Sequence, residues 1–96
     1  MTYFLIRVSV FFITYSFAQV VTHTEEFDDG GLKSITYYKK IGNKTTIYKE
    51  EKFYEDGSLY LKGNSKNGKR DGIWTTYKPD GTIENEELFK EGVAID

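Results

Sequence analysis

Phe53 to Gly68 reads FYEDGSLYLKGNSKNG, and Tyr77 to Gly92 reads YKPDGTIENEELFKEG. The two stretches lie 24 residues apart, the separation of Gly57 from Gly81 and of Gly68 from Gly92. Asp56/Asp80, Gly57/Gly81, Lys66/Lys90 and Gly68/Gly92 are identical, while Phe53/Tyr77, Ser58/Thr82 and Leu59/Ile83 match in kind. Asp29-Gly30-Gly31-Leu32 is a looser copy of Asp56-Gly57-Ser58-Leu59, at an offset of 27. A period of this size marks a repeat architecture, in which one unit cannot bury its own apolar face and stacks on its neighbours.

The turn signals show what each unit is. Asp29-Gly30-Gly31, Gly42-Asn43, Asp56-Gly57, Asn67-Gly68, Asp71-Gly72 and Pro79-Asp80-Gly81 cut the chain into runs of strand length, with no helical stripe between them. Asn-Gly and Asp-Gly between apolar runs signal hairpins because glycine accepts the positive φ of the turn. In Lys78-Pro79-Asp80-Gly81, Pro79 suits position i+1 of a type I turn, and Gly81 then sits left-handed as a bulge residue. Gly57, Gly68, Gly72, Gly81 and Gly92 are the expected turn glycines. Val20–Phe27 should pair with Leu32–Lys39, Thr45–Tyr54 with Leu59–Gly63, and Ile73–Lys78 with Ile83–Lys90. Strict alternation puts Ile47 and Phe53 on one face, with Tyr48 and Tyr54 on the other. It likewise separates Ile73, Thr75 and Tyr77 from Trp74. Gly63–Gly72 (GNSKNGKRDG) reads as the most flexible connection. The expectation is an all-β chain, an antiparallel meander of about three tandem hairpins in a single-layer sheet.

Residues 1–18, MTYFLIRVSVFFITYSFA, stand apart. Arg7 precedes an apolar run from Val8 to Phe17, and Ser16 and Ala18 place small residues before Gln19. This is the layout of a secretory signal peptide. The run is short of the about 20 apolar residues a membrane span needs. The expectation is an exported chain whose β-repeat domain covers 19–96, with no membrane span after cleavage. The sequence contains no cysteine, which closes the lipoprotein, disulfide and thiolate-metal routes. From Gln19 onward there are 12 basic and 15 acidic residues, net −3. That balance exerts no general pull on nucleic acid or anionic lipid.

Gly72-Ile73-Trp74-Thr75-Thr76-Tyr77-Lys78-Pro79-Asp80-Gly81-Thr82-Ile83, continuing to Phe89-Lys90-Glu91-Gly92, resembles the MORN repeat variant. Phe53–Trp74 is similar to a second unit, through Tyr54, Asp56-Gly57, Leu59, Asn67-Gly68-Lys69 and Asp71-Gly72-Ile73-Trp74, and Phe27–Gly42 to a weak one. Bacterial proteins of this kind are commonly labelled YwqK-family antitoxins, and many carry a signal peptide. The resemblance implies a sheet of tandem hairpins, no enzymatic activity and an antitoxin-like role. The chain has few repeats for such an array and ends at Gly92–Asp96, where a further repeat would begin.

Candidate chemistry is sparse. His23 is the only histidine, and no cysteine accompanies it to complete a ligand set, so it reads as a strand residue. Glu84, Glu86 and Glu87 reach the spacing of a carboxylate pair but read as a solvated strand face. Asp28-Asp29-Gly30 and Asp71-Gly72 lack the alternating acids of a calcium loop and read as turns. Lys66–Arg70 is the one basic cluster, and Asp71 follows it at once. No cofactor or metal is expected. The aromatic residues are more telling, because a single layer has two faces and cannot bury both. Tyr37, Tyr48, Tyr60, Trp74 and Tyr77 are the candidate contact or spine residues, with Trp74 expected at the centre of a contact surface. The functional expectation is an exported, non-enzymatic protein that binds another protein, or self-associates through open sheet edges. The alternative is a glycan- or cell-envelope-binding module that uses exposed aromatics.

Overall fold

A computed structural model describes residues 19–95; the leader read at Met1–Ala18 lies outside them. The described residues form one antiparallel sheet of seven strands in sequence order. The strands are β1 Gln19–Glu26, β2 Leu32–Ile41, β3 Lys44–Phe53, β4 Leu59–Lys66, β5 Lys69–Tyr77, β6 Ile83–Lys90 and β7 Val93–Ile95. They contain no helix long and apolar enough to cross a membrane.

Two kinds of turn alternate. Phe27–Gly31, Tyr54–Ser58 and Lys78–Thr82 form the same five-residue turn, and all three lie along one rim of the sheet. In each, the glycine N–H donates three residues back (Gly30 to Phe27, Gly57 to Tyr54 and Gly81 to Lys78, each 2.9 Å). The first residue then donates to the carbonyl of the fifth at 2.7–2.8 Å. Gly30, Gly57 and Gly81 have φ of 91°, 92° and 92°. This is a type I turn closed by a left-handed bulge glycine, as Pro79-Asp80-Gly81 implied. Asp29, Asp56 and Asp80 lock the turns, each accepting the backbone N–H two residues on at 2.8–2.9 Å. Ser58 and Thr82 add hydroxyl donors at 2.6 Å to Asp56 and Asp80.

The opposite rim carries two-residue turns. Asn67-Gly68 has positive φ at both residues, 53° and 79°, the geometry that matches strand twist. Gly63–Gly72 is therefore not a flexible connection. β4 runs to Lys66 and β5 starts at Lys69, with Ser65 opposite Arg70 and Lys66 opposite Lys69. The polarity of this stretch suggests a loop, but a two-residue turn needs only its two central residues, and solvent-exposed rim positions accept charge. The three extra residues of the first repeat lengthen β2 and β3 to ten residues each, against eight and nine for β4 and β5. The tail forms β7 on β6. Its turn places Glu91, a non-glycine residue, at φ 51°.

Bulges decide which side chains share a face. Lys33, Tyr60 and Glu84, each two residues past a long turn's Ser/Thr/Gly, are left without a cross-strand partner. Tyr48 is a fourth extra residue, since Tyr37 pairs with Lys49 and Tyr38 with Ile47. This insertion breaks the alternation read along β3. Ile47 and Phe53 lie on opposite faces, and Tyr48 joins the face of Lys49. Ile73, Thr75 and Tyr77 do oppose Trp74, because β5 pairs with β6 without interruption from Gly72 to Thr76.

Gly57→Val and Gly81→Val should each cost about 1–2 kcal/mol, because a β-branched residue tolerates positive φ poorly. Glu91→Asn should instead raise the melting temperature, as asparagine enters the left-handed region more readily. Thermal denaturation followed by far-UV circular dichroism checks both; an unchanged melting temperature in the two valine variants contradicts the turn assignment.

Candidate functional site: an apolar sheet face

Pairing fixes the two faces of the sheet, since residues opposite each other across strands point the same way. The Trp74 face carries the packing centre. Trp74 is 2% exposed, and among the described residues it is the one buried apolar side chain. Its indole lies flat on Gly63 of β4, where an added Cβ would overlap the ring. The indole N–H donates to the Asn64 carbonyl at 2.8 Å. The Arg70 guanidinium sits 4.1 Å from the ring centroid, and Phe89 meets it edge-on at 6.4 Å. Gly72, expected with Asp71 in a turn, lies instead within β5, at φ 76°, in the irregularity where β5 carries more residues than β4 between Asp71 and Thr75, so its positive φ serves a bulge and not a chain reversal. Of the two roles open to Trp74, contact or spine, the structure assigns spine. From the sequence, Gly63 reads only as a strand end and Arg70 only as part of the basic cluster Lys66–Arg70, although a glycine within a strand signals close approach of another group.

Tyr54 and Tyr60 meet edge-on at 5.1 Å, and the Tyr54 hydroxyl donates to the Tyr77 carbonyl at 2.6 Å, tying one long turn to the end of β5. Burial first and the Glu84 charge second hold the Tyr54 phenol above its ordinary pKa. The Phe27 ring occupies the matching place in the first repeat without a hydroxyl to donate.

The other face carries the larger surface. Tyr37, Tyr48 and Tyr77 lie on it, half-buried. Tyr37 and Tyr48 meet edge-on at 6.0 Å. Lys49 and Lys39 lie over the two rings at 5.1 Å and 4.9 Å. The Tyr37 hydroxyl donates to Glu51 Oε1 at 2.6 Å, and Glu51 Oε2 is 4.0 Å from Lys49 Nζ. The Glu51 hydrogen bond, then burial, then the Glu51 charge raise the Tyr37 phenol above its ordinary pKa. Of the ten exposed large apolar residues among those described, eight fall on this face. They are Val20 on β1, Leu32 and Ile41 on β2, Ile73 on β5, Ile83 and Leu88 on β6, and Val93 and Ile95 on β7. Ile73, Leu88 and Ile95 stand in one cross-strand row, with Ile73 57% exposed. Tyr60, 39% exposed, belongs to the opposite side with Tyr54.

Charge is segregated along the strand direction. The long-turn rim holds Glu25, Glu26, Asp28, Asp29, Glu55, Asp56, Asp80 and Glu84 against Lys33, Lys52 and Lys78. The tight-turn rim holds Lys39, Lys40, Lys44, Lys66, Lys69, Arg70 and Lys90 against Asp71 and Glu91. One rim is net −5 and the other net +5, so a nearly balanced chain becomes a charge-polarised sheet. A hollow of about 260 Å³ on the basic rim is lined by Tyr48, Lys39, Lys44, Lys66, Ser65 and Asn67, among others. Asp29 spends its carboxylate on the Gly31 N–H, in keeping with the turn reading of Asp28-Asp29-Gly30.

Comparison with family models, with characterised proteins and with solved structures gives no match.

Gly63→Ala should destabilise the sheet by about 3 kcal/mol through overpacking and shift Trp74 emission to the red. The wild-type fluorescence should be blue-shifted and protected from quenchers; a quenchable wild-type Trp74 contradicts this packing. A second expectation concerns acid. Hydrogen bonds from Ser58 and Thr82 hold Asp56 and Asp80 below the usual carboxylate range. Their stabilisation is complete above the unfolded aspartate pKa of about 3.9 and is lost as pH falls through the lower folded values. Asp56→Asn with Asp80→Asn, which keeps an acceptor but removes the titration, should flatten the acid limb of a melting-temperature profile. An unaltered limb would place the acid sensitivity elsewhere.

Proposed function

We propose that this chain is an exported, non-enzymatic β-repeat protein that binds another protein through the face of Tyr37, Tyr48 and Tyr77. The observation that carries the reading is the gathering of exposed aliphatic side chains on that one face, beside half-buried tyrosines. An apolar, aromatic patch rimmed by charge is the usual composition of a protein-recognition surface. The likeness of Phe53–Gly92 to MORN-variant repeats supports the same reading, and an antitoxin-like role is the form it suggests. The Arg7, Val8–Phe17 and Ser16-Phe17-Ala18 pattern supports export. A second reading, a glycan- or envelope-binding module, draws on the hollow where Tyr48 offers a ring beside Lys39, Lys44, Ser65 and Asn67.

Photo-crosslinking in the native host tests both parts. A photoreactive residue at Leu88 should yield adducts of a defined protein, while one at Glu87, on the opposite face, should not. Equal yields, or adducts from Glu87 alone, overturn the assigned face; adducts to polysaccharide favour the second reading. The recovered chain should begin at Gln19 by mass spectrometry, and intact Met1–Asp96 in the cytoplasm overturns export.

A further inference from the structure

We infer that the protein covering the apolar face is a second copy of this chain, stacked face to face with its strands running the opposite way. This rests on the proposed use of that face and names its occupant. Six strands of eight to ten residues and β7 of three, about 4.8 Å apart and rising about 3.3 Å per residue, give a face of roughly 900 Å². Two such faces together bury about 1,800 Å², within the standard size of a stable interface.

Charge complementarity selects one arrangement of the two copies. Two copies stacked by a two-fold axis have two ways to align their strands. With the axis parallel to the strands, the net +5 rim lies over its own copy and the net −5 rim over its own. Both contacts are repulsive. With the axis across the strands, from β1 towards β7, each basic rim lies over an acidic rim, and the attraction occurs twice.

The axis across the strands places every strand over its own copy, so the aliphatic end of the sheet at β5–β7 meets itself. Two apolar rows flank the middle of the face. Tyr77 and Ile83 are paired in the row towards the acidic rim, and Ile73, Leu88 and Ile95 form the row towards the basic rim. The axis exchanges these rows, so Leu88 of one copy lies over Ile83 of the other. Between the rows stand Glu51, Lys62 and Glu86, with Glu51 directly opposite Lys62. The axis runs along this row, so each of these charges lies over its own copy, and the diagonal approach of Lys62 of one copy to Glu51 of the other opposes that repulsion.

The experiment uses purified mature protein at high micromolar concentration. Light scattering should give twice the monomer mass at low salt, with association weakening as ionic strength rises. Leu88→Lys should give a monomer whose strand circular dichroism and Trp74 emission are unchanged, since Trp74 lies on the other face. Glu87→Lys should remain dimeric. Because the chain has no cysteine, single-cysteine variants report the arrangement cleanly. Ile83→Cys mixed with Leu88→Cys should form a disulfide heterodimer under mild oxidation, and Val20→Cys mixed with Ile95→Cys should not. A wild-type monomer at low salt, a Leu88→Lys dimer, or cross-linking of Val20→Cys with Ile95→Cys overturns the proposal. A monomeric result leaves partner binding through the face open to the Leu88 photo-crosslinking experiment, so the two ideas fail separately.

Discussion

The indole of Trp74 lying on the bare backbone of Gly63 is the contact around which the sheet is organised. The ring needs a neighbouring residue without a Cβ, because any side chain at position 63 would occupy the same space. In return the ring crosses from β5 to β4, donates to the Asn64 carbonyl, and is closed over by Arg70 and Phe89. Gly72 permits the local irregularity that sets the indole over Gly63. No second copy of this arrangement exists in the first repeat, where Glu50 stands in the place of Trp74. The packing strength of the meander is therefore concentrated in its second half, around β4–β6.

Everything else about the molecule follows from having one layer. A sheet buries its apolar residues only against another layer, and here the face opposite Trp74 has none among the described residues. Hydrophobic burial is non-directional and scales with area, so an exposed face of aliphatic side chains favours whatever covers it. The long-range charges then choose how the cover sits. Three of the eight acids on the long-turn rim, Asp29, Asp56 and Asp80, are the locking acceptors of their turns, while the tight turns leave their flanking positions to lysine and arginine. Turn chemistry and surface electrostatics thus share part of their residues.

Much of this was legible from local sequence. The Asp-Gly-Ser/Thr pattern recurring at 24 residues encodes the long turn and its left-handed glycine, while the acceptor role of the aspartate emerges from the structure. These are short-range effects within five residues, and a single sequence contains them. Facing was harder. The extra Tyr48 rotates every later side chain of β3 relative to the earlier ones, and a bulge leaves no mark on local composition. Gly63 was passed over because its requirement comes from a ring eleven residues away. The stretch around Asn67-Gly68 looked like a loop because its charge was read without the rim position that makes charge harmless.

By itself the sequence determined the repeat, the strand-and-turn order and the all-β class, because those depend on backbone preferences of neighbouring residues. Only the tertiary structure decided which aromatic is buried and which face is apolar. Trp74 became spine and the Tyr37–Tyr48–Tyr77 side became the exposed surface through cross-strand register, a relation between residues far apart in the chain. The same register gathered lysines scattered from position 39 to position 90 onto one rim. A chain with a small net charge acquires opposed ends only when its strands are laid side by side.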